Sequence, residues 1–276
     1  MDRVGIIGNG FVGSAIYHGL KDKYSVLVYD IDYERSTNTF EEIDSQNLLF
    51  ICVPTPMDRE GNFDLSIVKK VIKNLQSSKI LVIKSTVTPD AATELIDDFP
   101  QHKFVFNPEF LTQRTAIEDF KNPTRIVLGG EKEVTETVKK MYSKVFPNVK
   151  YIETDYKTAC FIKYFCNCFY AIKVSAMNEF QQIAAATGAS WDAALDGLLM
   201  SGWVNPMHTK VPGPDGEYGF GGKCFPKDIN SFISFCEKNE VDSTMLGAAW
   251  DKNLLVRKNK DWLSIEGAVN KGEKNE

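Results

Sequence analysis

The sequence predicts an α/β fold: a doubly wound parallel sheet at the N-terminus, then an all-α domain with one long helix. Three observations predict it. Short apolar runs alternate with helix-length amphipathic stretches through the first half, the pattern of a parallel sheet with helices on both faces. A glycine-rich turn joins the first apolar run to the first helix. Residues 155–187 contain neither proline nor glycine and read as a single helix stopped by Gly188.

The elements follow in order. Residues 3–7, Arg-Val-Gly-Ile-Ile, form a short apolar strand. Gly8-Asn9-Gly10-Phe11-Val12-Gly13 comes next and opens a helix from Phe11 to about Lys21. This is G-x-G-x-x-G in the strand–turn–helix setting of a Rossmann-type domain. Gly8 permits the tight turn, Gly10 the approach of a pyrophosphate to the helix N-terminus, and Gly13 close helix–strand packing. A second strand, 25–29, ends in Asp30, 20 residues after Gly10, where an acid takes the ribose hydroxyls. An acid there disfavours a 2′-phosphate, so NAD is expected over NADP; Arg35 is the nearby residue able to accept such a phosphate. The competing reading, a glycine-rich turn in an unrelated α/β domain, is opposed by both strands and Asp30 standing in register.

Further strands are expected at 48–53, 80–84, 103–106, 125–128 and 149–152, and helices at 64–76, 89–98 and 131–145. Ligands bind at the carboxyl ends of such strands. Those ends read Val53-Pro54-Thr55-Pro56, Lys84-Ser85-Thr86-Val87 and Asn107-Pro108-Glu109-Phe110, which set small polar groups or a carboxylate where cofactor and substrate would meet. After the long helix, helices are expected at 190–199, 226–240 and 242–262, with a Pro/Gly-rich loop at 204–222. The expected organisation is a nucleotide-binding domain at 1–153, a helical domain at 154–262 and a polar, frayed tail at 263–276.

Within the helical half, Gly219-Phe220-Gly221-Gly222-Lys223-Cys224-Phe225-Pro226-Lys227-Asp228 sets a cysteine on a glycine loop just before a helix start. Pro226 suits the first helical position. The helix N-terminus and the two lysines favour thiolate, the nucleophilic form. Asp228 lies one turn along the same face. A cysteine is more often a buried structural residue; the glycines, charges and nucleotide signature tip the balance here. Lys163 and Asn167 share one face of the long helix, interrupting an apolar stripe that continues through Ala171 and Val174. For an arbitrary helical lysine a solvated role is the better reading, and context alone favours function.

Composition excludes other classes. A net charge of −5 and a pI near 5.4 argue against nucleic-acid binding. No apolar run is long enough to span a membrane, and Met1-Asp2-Arg3 leads directly into the first strand, so no signal peptide and a cytoplasmic location are expected. The six cysteines lack a secreted framework and are expected to be reduced. Cys166 and Cys168 point in different directions on a helix and the three histidines are scattered, so no metal site is expected. A helix of about 30 residues spans some 45 Å, long for one small domain; its apolar remainder suggests a homodimer.

Together these motifs resemble the UDP-glucose/GDP-mannose dehydrogenase family, most of all its UDP-glucose 6-dehydrogenases. The resemblance rests on GNGFVG (8–13), YDIDYER (29–35), VPTP (53–56), KSTV (84–87), NPEFL (107–111), Lys163 and Asn167 on a helix carrying Asn178-Glu179, and GFGGKCFPKD (219–228), in family order. It implies that NAD oxidises a nucleotide sugar, UDP-glucose favoured, from C6 alcohol to carboxylate in two hydride transfers, giving a uronic acid of the kind used in polysaccharide synthesis. Cys224 would carry a thiohemiacetal and then a thioester. Lys163, with Asn167 and a water, would stabilise the oxyanion; Asp228 would orient that water or Lys163; Glu109 would act as base; Thr86 would hold a water or the nicotinamide side. The resemblance also places Val53, Thr55, Pro56 and Ser85 at the cofactor, and Glu109, Phe110, Leu111 and Gly219-Phe220-Gly221-Gly222 at the sugar. Three departures stand out. The chain ends 52 residues after Cys224, without the family's usual third, UDP-binding domain. Gln113 replaces a usual Glu, and residues 203–216 lack the Arg that reaches a sugar across a dimer, leaving His208 or Lys210 as substitutes. Two further readings stay open: a single-step NAD-dependent hydroxy-acid dehydrogenase, and a truncated protein that binds NAD or a partner without turnover.

Overall fold

The structure, a computed structural model, describes residues 3–58 and 61–270. The chain forms two compact units, 1–55 with 65–163, and 56–64 with 164–276. The division falls inside the long helix, between Lys163 and Tyr164. Packing explains why. The first two turns of that helix close onto the sheet through Ala159, which is fully buried; a Cβ at Gly129 would lie 2.3 Å from Ala159 Cβ.

The first unit holds a seven-stranded sheet of β1 (Arg3–Ile7), β2 (Ser25–Tyr29), β3 (Leu48–Ile51), β4 (Ile80–Ile83), β5 (Lys103–Phe106), β6 (Arg125–Gly130) and β7 (Lys150–Thr154), in the order β2-β1-β3-β4-β5-β6-β7. Its helices are α1 (Phe11–Leu20), α2 (Phe40–Asp44), α3 (Ser66–Lys73), α4 (Pro89–Asp98), α5 (Ala116–Lys121), α6 (Lys132–Ser143) and the start of α7 (Tyr156–Thr187). The expected α/β architecture is present, with one change: β6 runs antiparallel to β5. A parallel return needs a crossover of a dozen or more residues, usually a helix. The link from β5 to β6, residues 107–124, exceeds that length, but its only helix, the six-residue α5, packs against α1. With the 12-residue α6 the return succeeds, and β7 pairs parallel to β6.

Central strands are buried on both faces and read as continuous apolar runs, as in Leu48-Leu49-Phe50-Ile51. Gly19 on α1 has no Cβ where one would sit 2.3 Å from the Phe120 ring, so α5 packs flush against α1. The short helix α2 is an addition to the expected elements, although its signal is explicit: Thr39 and Glu42 form a reciprocal capping box.

In the second unit, later turns of α7 pack with α9 (Phe225–Lys238) and α10 (Thr244–Val256), while α8 (Trp191–Met200) buries none of its residues. The core gathers Tyr164, Cys168, Ala171, Phe220, Ile229 and Phe232, with Tyr164 stacked on Phe232 at 5.0 Å. Two expectations are corrected. The helix expected at 242–262 stops at Val256, where the chain becomes extended at Arg257 before a 3-10 turn at Asp261–Leu263. The break lets Arg257 and Asp261 turn onto the glycine loop described below. The expected tail is also held where the structure describes it. Met57 N–H donates to the Ala268 carbonyl at 3.0 Å and Asn270 N–H to the Met57 carbonyl at 2.6 Å; Ala268 and Trp262 are buried beside Met57. Residues 271–276 of that tail lie outside the described residues.

Candidate active site

Each unit carries its own share of the predicted residues. In the first, Gly8 takes φ +94°, and its N–H donates to the Tyr29 carbonyl at 2.9 Å. A Cβ there would lie 2.8 Å from the Cys52 backbone, so only glycine fits. A Cβ at Gly13 would lie 1.9 Å from the Gly8 carbonyl oxygen, closer than any Cβ tolerates. Gly10, the N-cap of α1, would place a Cβ in open space. It is therefore not glycine for folding, which is what a surface cleared for a ligand requires. The Asp30 carboxylate accepts the Asn9 N–H at 2.6 Å and the Asp32 N–H at 3.0 Å. Asn9 in turn donates to the Arg35 carbonyl at 2.7 Å and keeps a buried Oδ1 without a hydrogen-bond partner. Phe11 and Val12 pack inward from the start of α1. Arg35 pairs with Asp32 at 3.1 Å, half exposed. These residues fit a dinucleotide: a glycine turn at a helix N-terminus, an acid at the next strand end, and an orphaned polar atom beside them.

The next strand ends are laced together. Thr55 Oγ1 donates to the Thr86 carbonyl at 2.8 Å, and Ser85 Oγ to the Val53 carbonyl at 2.6 Å. Pro56 belongs to the second unit. Lys163 Nζ donates to the Glu109 carboxylate at 2.8 Å and to its carbonyl at 2.6 Å, with both side chains buried. The other Glu109 oxygen accepts the Leu111 N–H at 2.7 Å. The Phe110 ring lies 4.1 Å from the Arg125 guanidinium and 5.6 Å from Lys163 Nζ.

A cavity of about 240 Å³ is lined by residues that include Lys84, Asn107, Glu109, Phe110, Arg125 and Tyr142. In the sequence Lys84 and Asn107 stand only as motif letters, with no role of their own. Their link is tertiary: Lys84 Nζ and Tyr142 Oη both donate to Asn107 Oδ1, at 3.0 and 2.7 Å, while Asn107 donates to the Val127 carbonyl. Burial lowers the Lys84 ammonium to about 8, beyond what Cys52 and Glu109 restore. Burial likewise pushes the Cys52 thiol up to about 12, so it stays protonated.

In the second unit, Cys224 occupies the N-cap position of α9, and Pro226 falls in its first turn. Asp228 is almost fully buried between Lys227, at 2.5 Å, and Asn167, whose Nδ2 donates at 2.6 Å. Asp228 thus holds Asn167 directly. Lys227, expected to act on the thiol, gives its ammonium to Asp228. Lys223 is lowered by burial, with the Cys224 charge acting the other way. His208 packs against Tyr170 and Phe225, at 4.9 and 5.4 Å, and burial, then Lys173, lowers its pKa. A neutral ring so placed is no substitute for an arginine.

The loop before Cys224 is fixed at three residues. Gly219 N–H donates to Asn178 Oδ1 at 3.0 Å, Phe220 N–H to Asn253 Oδ1 at 2.7 Å, and Gly222 N–H to Asp261 at 3.0 Å. Asn253 and Asp261 give no sequence signal for this, because the contacts join segments far apart along the chain.

A glycine turn at a helix N-terminus, with an acid closing the second strand, defines a dinucleotide-binding protein; the helical unit adds a cysteine presented on a glycine loop. The chain belongs to the UDP-glucose/GDP-mannose dehydrogenase family. Residues 15–146 match that family's NAD binding domain and residues 157–254 its central domain. The UDP-glucose 6-dehydrogenase of Rickettsia bellii is 34% identical over 261 residues, covering 91% of this chain and 58% of the relative. The chain thus spans less than two thirds of that relative's length. Two solved structures share the fold. A UDP-glucose dehydrogenase from Pyrobaculum islandicum superposes with a TM-score of 0.82 at 23% identity, over 92% of this chain and 68% of that one. A 3-hydroxyisobutyrate dehydrogenase from Mycobacterium tuberculosis does so at 0.72 and 16% identity, over 91% and 92%.

Proposed function

We propose that this chain oxidises C6 of a nucleotide sugar, UDP-glucose favoured, from primary alcohol to carboxylate, with Cys224 as covalent nucleophile. One observation carries the reading: a cysteine at the N-cap of α9, four residues before a buried aspartate that grips Asn167. A hydroxy-acid dehydrogenase of the same fold has no use for that cysteine.

NAD, held by the Gly8–Gly13 turn and Asp30, supplies a hydride acceptor for each oxidation. The chain's own residues do the rest. Cys224 sulfur adds to the aldehyde carbon left by the first oxidation, forming a C–S bond and an oxyanion. Lys163 and Asn167 donate hydrogen bonds to oxygen where negative charge develops. Loss of hydride from that carbon leaves a thioester. Glu109 takes a proton from water as it attacks, and the C–S bond breaks to release the carboxylate and restore the thiol. Splitting the oxidation this way replaces one difficult step with easier ones. Thr86, whose carbonyl accepts the Thr55 hydroxyl at 2.8 Å, would hold a water or the nicotinamide side.

A homodimer is part of this reading. Phe161, Phe165 and Phe169 recur every four residues on α7 and are each about half exposed, and α8 buries none of its residues. Among the described residues no helix is long and apolar enough to cross a membrane. None of the six cysteines is in a disulfide, which suits a reducing compartment such as the cytoplasm.

The test is the number of NADH formed per UDP-glucose consumed, with NAD in excess. Two NADH and UDP-glucuronate are expected. Cys224→Ser should bind NAD normally and yield no acid. One NADH per substrate would favour the single-step reading. No turnover with NAD still bound would favour a non-catalytic binder.

A further inference from the structure

The glycine loop that presents Cys224 is gripped by three residues four apart at the end of the helical unit. Asn253, fully buried on α10, brackets Phe220: its Oδ1 accepts the Phe220 N–H at 2.7 Å and its Nδ2 donates to the Phe220 carbonyl at 3.0 Å. One turn on, Arg257 is buried, and its Nη2 reaches Asp215 at 2.9 Å and Asp261 at 3.4 Å. Asp261, four residues further, accepts the Gly222 N–H with both carboxylate oxygens, at 3.0 and 3.2 Å. The glycines are cut to fit this grip. A Cβ at Gly219 would stand 2.2 Å from Asn253 Oδ1, and one at Gly221 would stand 2.2 Å from Arg257 Nη2 and 2.4 Å from Asp261 Oδ1.

We propose that Asn253, Arg257 and Asp261 are positioning residues, a clamp that holds Gly219–Gly222 in one arrangement and so fixes Cys224 at the head of α9. The proposal rests on Cys224 being the nucleophile. Glycines have more backbone freedom to lose than any other residue, so a loop with three of them does not hold one geometry unaided. The clamp replaces that freedom with two hydrogen bonds from the Asn253 side chain, a carboxylate on the Gly222 amide, and a cation between two acids. Arg257 suits this because a planar guanidinium can reach two carboxylates from one fixed plane, whereas a lysine offers a single point charge. The break in α10 at Arg257 has the same origin: a helix continued through Asp261 would carry that carboxylate away from Gly222.

The test uses the full chain and three variants, Asn253→Ala, Arg257→Lys and Asp261→Asn. Four quantities are read: iodoacetamide alkylation of Cys224 by mass spectrometry across a pH series, amide hydrogen exchange at Gly219, Phe220 and Gly222, NAD binding, and turnover. In the unaltered protein the three amides should exchange slowly. In the variants NAD binding should persist, those amides should exchange faster, and Cys224 alkylation should slow and shift to higher pH. The accompanying kcat should fall about 10-fold or more, the order expected when a reacting group is displaced by a fraction of an ångström to 1 Å. Variants that lower thermal stability but leave the alkylation profile and kcat unchanged would overturn the clamp. Fast exchange of the three amides in the unaltered protein would overturn it too, whether or not any variant folds. Acid production by Cys224→Ser would instead sink the nucleophile assignment, leaving slow exchange to report a purely structural grip.

Discussion

The Lys163–Glu109 pair sets the terms for the first unit at the scale of single residues. Two buried charges lose their hydration, and only mutual pairing and backbone contacts compensate. Removing one partner strands the other: Glu109→Gln or Lys163→Met should each destabilise by roughly 3–5 kcal/mol. The double variant should cost clearly less than the sum, measured by urea unfolding in a double-mutant cycle. Strict additivity would mean the pair does not form. Lys84 is the opposite case, a buried ammonium hydrogen-bonded to a neutral amide. Its pKa is about 8 in the fold against an ordinary lysine value of 10.5, so between those values the unfolded chain binds the extra proton. Stability from this group therefore rises with pH across that window, by on the order of 3 kcal/mol. Lys84→Met should be more stable than the parent at neutral pH, and the difference should shrink toward pH 10.5. A difference independent of pH would place the ammonium in contact with water. NPEFL and KSTV were legible as motifs; that Lys84 reaches Asn107, 23 residues away, was not.

At the scale of elements, α1 separates folding glycines from ligand glycines. Gly13→Ala drives a methyl into the Gly8 carbonyl and should destabilise the unit and weaken NAD binding together. Gly10→Ala meets nothing within 4 Å, so its melting temperature should stay within a degree or two of the parent, consistent with about 0.5 kcal/mol or less. Its NAD affinity should nevertheless fall about 10-fold or more, because the added methyl occupies space the pyrophosphate needs. Calorimetric melting and NAD titration of the two variants decide it; equal NAD affinity for Gly10→Ala and the parent would remove the turn from the cofactor site. The G-x-G-x-x-G spacing announced the turn in advance. The direction of β6 was not announced, since it depends on where the segment between β5 and β6 packs in space.

At the scale of the whole molecule, the half-exposed phenylalanines on α7 and the absence of buried residues on α8 bear on the oligomeric state. Fully burying an exposed phenylalanine contributes about 1.5–3 kcal/mol, and covering the exposed half of each of these three rings contributes roughly half of that, one part of what association requires. Light scattering at micromolar concentration should return twice the 31.1 kDa of one chain. Phe169→Asp should shift the protein toward monomer while leaving NAD binding intact. A parent protein that is monomeric at that concentration would rule the dimer out.

The sequence by itself determined the strand–turn–helix nucleotide motif and the long proline-free helix, and it singled out Cys224, Lys163, Asn167, Glu109 and Asp228 as candidate reactive groups. These are local: a glycine turn, a helical period or a motif is written in neighbouring residues. Tertiary structure decided which groups are paired and which segments support them. It gave Lys227 to Asp228, Lys84 to Asn107, and the described end of the supposed tail to Met57, and it turned Asn253, Arg257 and Asp261 onto the glycine loop. Burial and long-range hydrogen bonds depend on where distant segments meet in space, and no local pattern along the chain encodes that.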